Sequence, residues 1–228
     1  MQDRDPLATS TISPLQNLWE REYESTDTPF DIEEPDEWIA TLAKSRRIRG
    51  QVLDAGCGPG RNSIYLAETG CNVLGVDIST KAISRAQRNA AEKSSRAQFL
   101  QANLCEISGY EDRFDSVVDI GCFHSLDQCD RAAYAAALHR VCREGAVIFL
   151  RAFRWNHPSG SSADALTAED IRSAFSNNGW SERELVEREI ELRISPTEKP
   201  RTSCWFAEMH YQPLPVEIDP QRVPKCRS

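Results

Sequence analysis

The chain has 228 residues, of which 40% are hydrophobic and 27% are charged. This composition excludes a collagen, a coiled coil and a wholly disordered chain, and it favours one globular domain with short appendages. Lysine and arginine number 27 against 35 aspartates and glutamates, which gives a formal net charge of −8. A duplex-binding domain usually has a basic surface, so we expect no nucleic-acid partner.

The N-terminal residues and the cysteines bear on the cellular location. The N-terminus is acidic and has no apolar run, so the sequence predicts no signal peptide, and no stretch is long enough for a membrane span. The eight cysteines include no CxxC pair, and several lie in apolar runs, where cysteine behaves as a small hydrophobic residue. We therefore expect reduced thiols, no metal site and a cytoplasmic protein without a membrane partner.

The predicted elements alternate between strands and helices along most of the chain. Short apolar runs bounded by turn residues indicate strands, and apolar stripes at helical spacing indicate helices. Helices are predicted over residues 14–24, 35–47, 61–69, 79–94, 130–142 and 167–177. Strands are predicted over residues 52–55, 72–76, 97–101, 114–120, 146–150, 184–194 and 203–211.

This alternation predicts an α/β fold, with a mostly parallel sheet and helices on both faces. The last two strands have no helix between them, so they should form an antiparallel hairpin at one edge. We expect an N-terminal helix and lid segment over residues 1–35, one α/β domain over 36–212 and a flexible proline-rich tail over 213–228. Ligands bind such sheets at the carboxyl ends of the strands, which places the site after each strand.

A glycine-rich loop follows the first predicted strand. Residues 54–61 read DAGCGPGR, with glycines at Gly56, Gly58 and Gly60. Glycines let the backbone approach a ligand closely and turn tightly into the next helix. A dinucleotide fingerprint requires glycine or alanine at the last position, where this chain has Arg61. The loop is therefore predicted to bind a nucleoside ligand and not a dinucleotide.

Two acidic residues define the predicted ligand further. Asp54 precedes the first glycine by two residues, and its carboxylate would repel a pyrophosphate but attract a cationic arm. Asp77 ends the second strand, 21 residues after Gly56, where a carboxylate can accept hydrogen bonds from both ribose hydroxyls. The alternative is that Asp77 only begins the cap of the next helix, although Ser79 is already suited to that role. The glycine loop, Asp54 and Asp77 together predict that the ligand is a nucleoside with a positively charged arm.

The sequences VLDAGCGPGRN and GVDIS resemble motifs I and II of class I S-adenosylmethionine-dependent methyltransferases. The resemblance extends over residues 14–211 and implies a Rossmann-like sandwich with a seven-stranded sheet. It implies S-adenosylmethionine as cofactor, bound by Asp54, the three glycines, Asp77 and the adjacent Ile78. It also places the adenine at Asn103 and Leu104, and the methionyl arm beside Ile120. Many relatives have aspartate where this chain has Asn103, whose amide oxygen can accept the same hydrogen bond.

The N-terminal segment more closely resembles the thiopurine and thiol/halide methyltransferase group. That group has an aromatic pair on a short helix and a Thr-Pro-aromatic turn over the cofactor. Here the matching residues are Trp19, Tyr23 and the TPFD sequence of residues 28–31. The resemblance implies that Trp19 and Phe30 flank the cofactor and that Tyr23 lies on the substrate side.

Candidates for contact with the methyl acceptor follow the fourth and fifth strands. His124 is predicted to be a general base or an orienting group, because its charge can change near neutral pH; the alternative is a structural histidine that shapes the loop. Phe123 is predicted beside the substrate. After the fifth strand, Arg151, Arg154 and Trp155 can hold an aromatic or anionic acceptor, with Arg151 foremost because it ends the strand. The alternative there is an ordinary charged surface loop.

These residues predict a methyltransferase that aligns a small-molecule acceptor with the cofactor for in-line displacement. Sulfur is the favoured acceptor because of the N-terminal resemblance. The alternatives are oxygen or nitrogen methylation of a specialised metabolite, halide or metalloid methylation, and a binding module that holds the cofactor without transferring its methyl group. We expect a monomer.

Overall fold

The computed structural model describes residues 13–24, 34–154, 165–191 and 201–214. Within them, the strands form one sheet in the spatial order β3-β2-β1-β4-β5-β7-β6. The strands are β1 (Gln51–Ala55), β2 (Asn72–Asp77), β3 (Gln98–Gln101), β4 (Phe114–Ile120), β5 (Cys142–Phe153), β6 (Trp180–Glu191) and β7 (Arg201–Tyr211). The helices are α1 (Pro14–Glu22), α2 (Glu37–Lys44), α3 (Arg61–Glu68), α4 (Thr80–Glu92), α5 (Gln128–Val141) and α6 (Ala168–Ser176), with a 3-10 helix at Phe123–Ser125.

Strand direction confirms the predicted architecture. Strands β1 to β5 pair in parallel, whereas β7 runs antiparallel to both β5 and β6. Strand β7 therefore lies between β5 and β6, and the last two strands form the predicted hairpin at one edge. Because β1, β2 and β4 are parallel neighbours, their carboxyl ends meet at one edge of the sheet.

Successive residues of β1 face opposite sides of the sheet and join different parts of the core. Leu53 lies in a cluster with buried residues of α5 and α6, such as Tyr134 and Phe175. Val52 lies in a second cluster with residues of α2 and α3, such as Ile39. Helices consequently cover both faces, as predicted. Among the described residues, no helix is long and apolar enough to cross a membrane.

Several element boundaries differ from the prediction by a few residues, and the reason is identifiable at the starts of β5 and α2. Strand β5 begins at Cys142, four residues before the predicted start, because Cys142 pairs with Phe114 ahead of an irregularity in the ladder. The charged residues that follow Cys142 conceal this extension in the sequence. Helix α2 begins at Glu37 and not at Pro35, because the Asp36 side chain accepts the N–H of Trp38 and caps the helix.

Candidate functional site

A large cavity opens at the carboxyl ends of β1, β2 and β4. Its empty volume, counted together with the solvent-filled mouth, is about 1290 Å³. The predicted site residues that line it are Trp19, Tyr23, Gly56, Gly58, Asp77, Ile78, Asn103, Leu104, Ile120, His124 and Arg151.

The glycine loop is held in place by the neighbouring strand. The N–H groups of Gly56 and Cys57 both donate to the carbonyl oxygen of Val76 in β2, at 2.8 and 3.0 Å. Gly58 has φ +52°, which L side chains rarely adopt. A Cβ atom there would lie 2.8 Å from the hydroxyl oxygen of Tyr23. The loop thus presents bare backbone to the cavity, as a closely approaching ligand requires.

Gly60 has a packing role that the sequence did not reveal. It is not among the residues that line the cavity, and its predicted cofactor contact stays a prediction. It precedes α3 with φ +87°, and a Cβ atom there would lie 2.8 Å from the ring of Phe99. The same ring occupies the space beside Gly75, where a Cβ atom would again come within 2.8 Å. Gly60 therefore lets α3 begin against β3.

Asp54 lies behind the glycine loop and not in the cavity wall. Its carboxylate accepts a hydrogen bond from the Ser63 hydroxyl at 2.6 Å. Burial raises the pKa of Asp54 to about 6, although the Ser63 hydrogen bond and the Arg61 charge act in the opposite direction. Asp54 thus ties β1 to α3 beneath the loop, and its predicted contact with a cationic arm stays a prediction.

Asp77 lines the cavity at the end of β2. One carboxylate oxygen accepts the N–H of Gly58 and the other accepts the N–H of Ser79, each at 2.9 Å. Burial raises the pKa of Asp77 to about 6, while these two hydrogen bonds act to lower it. Each oxygen keeps further acceptor capacity, because a carboxylate offers about four lone-pair sites. Two hydroxyl groups can therefore bind to this side chain at once.

Helix α1 is anchored beside the cavity by a contact that sequence reasoning missed. Glu20 accepts the backbone N–H groups of Thr80 and Lys81, at 2.7 and 3.3 Å, at the start of α4. These bonds lower the pKa of Glu20 against the opposing effect of burial. The contact fixes Trp19 and Tyr23 in the cavity wall, with ring centroids 6.0 Å apart. Only one local sign of this contact is present in the sequence, which is that the acidic Glu20 lies between the aromatic Trp19 and Tyr23.

Asn103 and Leu104 line the cavity after β3, as the predicted adenine site requires. The amide oxygen of Asn103 accepts the N–H of Cys105 at 3.1 Å, which orients the side chain within its own turn. Ile78 and Ile120, at the ends of β2 and β4, also line the cavity. These four residues therefore line the cavity where β2, β3 and β4 end.

The turn after β4 is organised by Asp119, a buried residue that the sequence analysis did not assign. Its carboxylate accepts the N–H groups of Cys122 and Phe123 and the hydroxyl of Tyr134, the last at 2.6 Å. Burial raises its pKa to about 6. The turn directs Phe123 into the core against Phe175, with ring centroids 5.2 Å apart. Phe123 is therefore a core residue in the structure and not part of the cavity wall, contrary to prediction.

His124 follows in the 3-10 helix and lines the cavity. Its ring meets that of Phe153 edge to face, with centroids 5.0 Å apart. A Cβ atom on Gly121 would lie 3.3 Å from the His124 ring. The imidazole is thus packed between a strand end and a glycine turn, and it reaches the cavity in a fixed position.

Arg151 ends β5 and also lines the cavity. It forms an ion pair with Asp36, the cap of α2, and both side chains are largely buried. The guanidinium of Arg61 lines the same wall, and the charges of Asp36 and Arg151 act on it with opposite sign. No role was predicted for Asp36. Its position just before an amphipathic helix was the only local sign that it could cap α2.

Of the remaining predicted residues, only Arg154 belongs to the described part of the chain. Arg154 is exposed and pairs with Glu187 of β6 at 3.0 Å, so it lies on the surface in the described structure. Phe30 and Trp155 lie outside the described residues. No cluster of three or more metal-ligating side chains occurs within the described ranges.

Comparison with known proteins identifies the family. Residues 52–145 match a family model described as a methyltransferase domain. An uncharacterised methyltransferase of Schizosaccharomyces pombe is 41% identical over 112 residues, which cover 49% of this chain and 77% of the relative. The chain therefore belongs to the methyltransferase family, and it is an S-adenosylmethionine-dependent methyltransferase.

Two further relatives have named acceptors. A 2-heptyl-1-hydroxyquinolin-4(1H)-one methyltransferase of Mycobacteroides abscessus is 32% identical over 140 residues, covering 58% of this chain and 62% of that protein. A probable thiol methyltransferase of Arabidopsis thaliana is 23% identical over 177 residues, covering 76% and 78%. The second match extends the resemblance to the thiol methyltransferase group over most of the chain.

Solved structures share the fold over nearly the full length. A structure described for the conversion of a disulfide bond into a thioacetal group in echinomycin biosynthesis has a TM-score of 0.78 and 29% identity, covering 87% of this chain and 92% of that one. An N-methyltransferase from Bradyrhizobium japonicum in complex with S-adenosylhomocysteine has a TM-score of 0.65 and 20% identity, covering 87% and 99%. The glycine loop and Asp77, which line the cavity at the ends of β1 and β2, fit the same cofactor in this chain.

Proposed function

We propose that this methyltransferase transfers the methyl group of S-adenosylmethionine to the sulfur atom of a small molecule. The observation that carries the proposal is the match at 29% identity, over 87% of the chain, to a protein whose described reaction starts from a disulfide bond. The match to a probable thiol methyltransferase over 76% of the chain supports the same acceptor. An oxygen acceptor is the second candidate, favoured by the match to the hydroxyquinolinone methyltransferase.

The described residues suit particular parts of the cofactor. We assign Asp77 to the ribose hydroxyls, because each of its oxygens already accepts one N–H and keeps room for another donor. Asn103, Leu104 and Ile78 would surround the adenine. The backbone at Gly56 and Gly58, with Ile120 opposite, would line the path of the methionyl arm, and Trp19 would cover the cofactor from α1.

The cofactor, when bound, supplies a methyl group on a positively charged sulfur with a neutral thioether as leaving group. The work of the protein is then alignment, which can contribute about 7–11 kcal/mol when the reacting atoms are held in line. A thiol with a pKa of about 8.5 ionises readily and requires little help from a general base. We therefore assign His124 an orienting role at the cavity wall, beside Tyr23 on the substrate side.

The direct test is incubation of the purified protein with S-adenosylmethionine and a panel of thiols, phenols, carboxylates, amines and halides. S-adenosylhomocysteine formation is measured separately for each acceptor. Turnover confined to thiols supports the proposal, and a His124→Ala variant should then keep substantial activity. Turnover confined to hydroxyl compounds would assign the oxygen acceptor instead. Binding of S-adenosylhomocysteine without turnover of any acceptor would contradict the proposed sulfur methylation.

A further inference from the structure

Two arginines, Arg61 and Arg151, line the cavity. Arg151 pairs with the carboxylate of Asp36, and the charges of Asp36 and Asp54 both act on Arg61. Asp54 lies behind the glycine loop, where it is bonded to Ser63. The two cations therefore line the cavity, while the carboxylates that act on them do not.

This charge is held in a largely buried setting. The side chain of Arg151 is only 12% exposed and that of Asp36 only 8%. Burial lowers the pKa of Arg61, while the charges of Asp36 and Asp54 act to raise it. A buried cation is costly unless an anion or several acceptors balance it. An anionic ligand group in the cavity would add to this balance from the open side of the wall.

Arg151 lies beside the position assigned to the methionyl arm of the cofactor. In the ladder between β4 and β5, Arg151 is the direct partner of Ile120, and parallel neighbours lie about 4.8 Å apart. Phe153 and Leu126 line the cavity near it and provide apolar surface. Arg151 and the apolar side chains of Phe153 and Leu126 thus suit a hydrophobic molecule that carries an ionised group.

We propose that the acceptor binds as an anion, with its ionised sulfur or oxygen held by the guanidinium of Arg151 and its apolar part against Phe153. This inference rests on the proposed function and narrows its substrate class to acidic thiols or acidic hydroxyl compounds. Arg151 has five N–H donors, and the pair with Asp36 engages one of its terminal nitrogens, so donors remain for the acceptor.

The charges balance through the reaction. The lone pair of the anion forms the bond to the methyl carbon while the carbon–sulfur bond of the cofactor breaks, and its electron pair stays on the departing sulfur. No proton is removed, so no general base is required. The product carries no charge at the methylated atom and loses its attraction to Arg151, which favours its release.

The test compares two thiols of similar size with wild-type protein and an Arg151→Met variant. 4-Nitrothiophenol is ionised at neutral pH, whereas benzyl mercaptan is not. For wild type, we expect kcat/KM to follow the ionisation of each thiol as the pH is raised. Arg151→Met should lower kcat/KM for the ionised thiol by about 10–100-fold, mainly through KM, because hydrogen bonds to charged groups are the stronger ones.

Controls separate this role from damage to the fold or to the cofactor site. Arg172→Met removes an exposed arginine that pairs with Glu182 at 2.7 Å on the surface, and it should leave both thiols unaffected. S-adenosylhomocysteine should bind Arg151→Met with unchanged affinity. If removal of the arginine leaves buried Asp36 unpaired and unfolds the protein, the double variant Asp36→Asn/Arg151→Met avoids that charge and is compared instead.

Two outcomes would overturn the inference while the proposed function stands. One is equal kcat/KM for the two thiols with pH profiles that follow a single group of the enzyme. The other is an Arg151→Met variant that loses affinity for S-adenosylhomocysteine but not for the acceptor. Absence of turnover with every sulfur and oxygen acceptor, in protein that binds S-adenosylhomocysteine, would overturn the proposed function and the inference together.

Discussion

The carboxylate of Glu20, in α1, accepts the backbone N–H of Thr80, in the first turn of α4, at 2.7 Å. The same side chain accepts the hydroxyl of Ser79 at 3.2 Å. Ser79 is a neighbour of Asp77 in the turn that ends β2, and its N–H donates to that carboxylate. A short N-terminal helix is therefore bonded to the turn that we assign to the cofactor ribose.

We predict that Glu20→Gln weakens cofactor binding. Glutamine loses the charge at the start of α4 and turns an NH₂ group towards backbone donors, which costs about 0.5–2 kcal/mol by analogy with lost helix caps. The dissociation constant of S-adenosylhomocysteine should rise by about 3–30-fold in titration calorimetry. Glu24→Gln is the matched control, because Glu24 only forms an exposed ion pair with Lys81 at 3.0 Å. Equal affinities for the two variants would argue against an anchoring role for Glu20.

Cofactor affinity should depend on the ionisation of Asp77. Its pKa in the free protein is raised to about 6 by burial, and the ionised carboxylate is the better acceptor for hydroxyl groups. The dissociation constant of S-adenosylhomocysteine should therefore increase as the pH falls below about 6. Asp77→Asn should bind about 5–150-fold more weakly at neutral pH and show a flatter profile.

Asp54 provides the comparison for that profile, because its pKa is also raised to about 6 by burial. It contacts Ser63 behind the loop and does not line the cavity. The pH dependence of binding should persist in Asp54→Asn. If the pH dependence disappears in Asp54→Asn and persists in Asp77→Asn, the group that titrates is Asp54, and the prediction for Asp77 is wrong.

Gly58→Ala should abolish or severely weaken cofactor binding. The added Cβ would lie 2.8 Å from the Tyr23 hydroxyl, and φ is +52° at this position. Gly70→Ala is the matched control, since φ is +97° there but no atom lies within 4 Å of the added carbon. Both variants place alanine at a positive φ and are strained by it. The difference in S-adenosylhomocysteine affinity between the two variants therefore reports on the crowding at Gly58. The double variant Gly58→Ala/Tyr23→Phe should recover part of the affinity.

Asp119→Asn should destabilise the fold. The native carboxylate accepts two N–H groups and one hydroxyl, whereas asparagine offers one oxygen, so a buried donor is left unsatisfied at a cost of about 1–3 kcal/mol. Urea unfolding measures this loss. Tyr134→Phe, which removes one donor and leaves the carboxylate, should cost less. A variant that unfolds at the wild-type urea concentration would show that Asp119 does not hold the turn.

The pH dependence of that stability has a definite sign. The pKa of Asp119 is raised in the folded protein from 3.8 to about 6, so the native state holds this proton more tightly than the unfolded chain. The contribution of this group to the unfolding free energy therefore falls as the pH rises from about 4 to about 6. Asp119→Asn should lack that part of the decline.

Local sequence patterns predicted which segments meet at the cavity that we assign to the cofactor. The glycine loop and Asp77 belong to segments next to buried strands, and the order of strands brings their ends together. The contacts of Glu20 and Asp36 could not be predicted in this way. Glu20 meets residues about 60 positions away and Arg151 lies 115 positions from Asp36, so neither pair shares a local pattern.

The structure gives Phe123 and Gly60 packing roles that the sequence did not predict, and the two have a related cause. Both lie within the correct motif, but three hydrogen bonds to Asp119 direct Phe123 into the core, and the ring of Phe99 occupies the space beside Gly60. Adjacency in sequence placed these residues near the cofactor, whereas packing decided which way they face. The predicted domain boundaries at residues 35 and 212 stay predictions.

The ring of Phe99 fills the space that side chains at Gly60 and Gly75 would need, so a single aromatic residue links two glycines from different segments. The consequence concerns how this family can diverge. At position 75 an alanine would also meet the Ser63 hydroxyl at 2.7 Å, and at position 60 the φ of +87° disfavours any side chain, even beside a smaller ring. Exchange of Phe99 alone therefore frees neither position, and both glycines should persist among homologues that keep this loop.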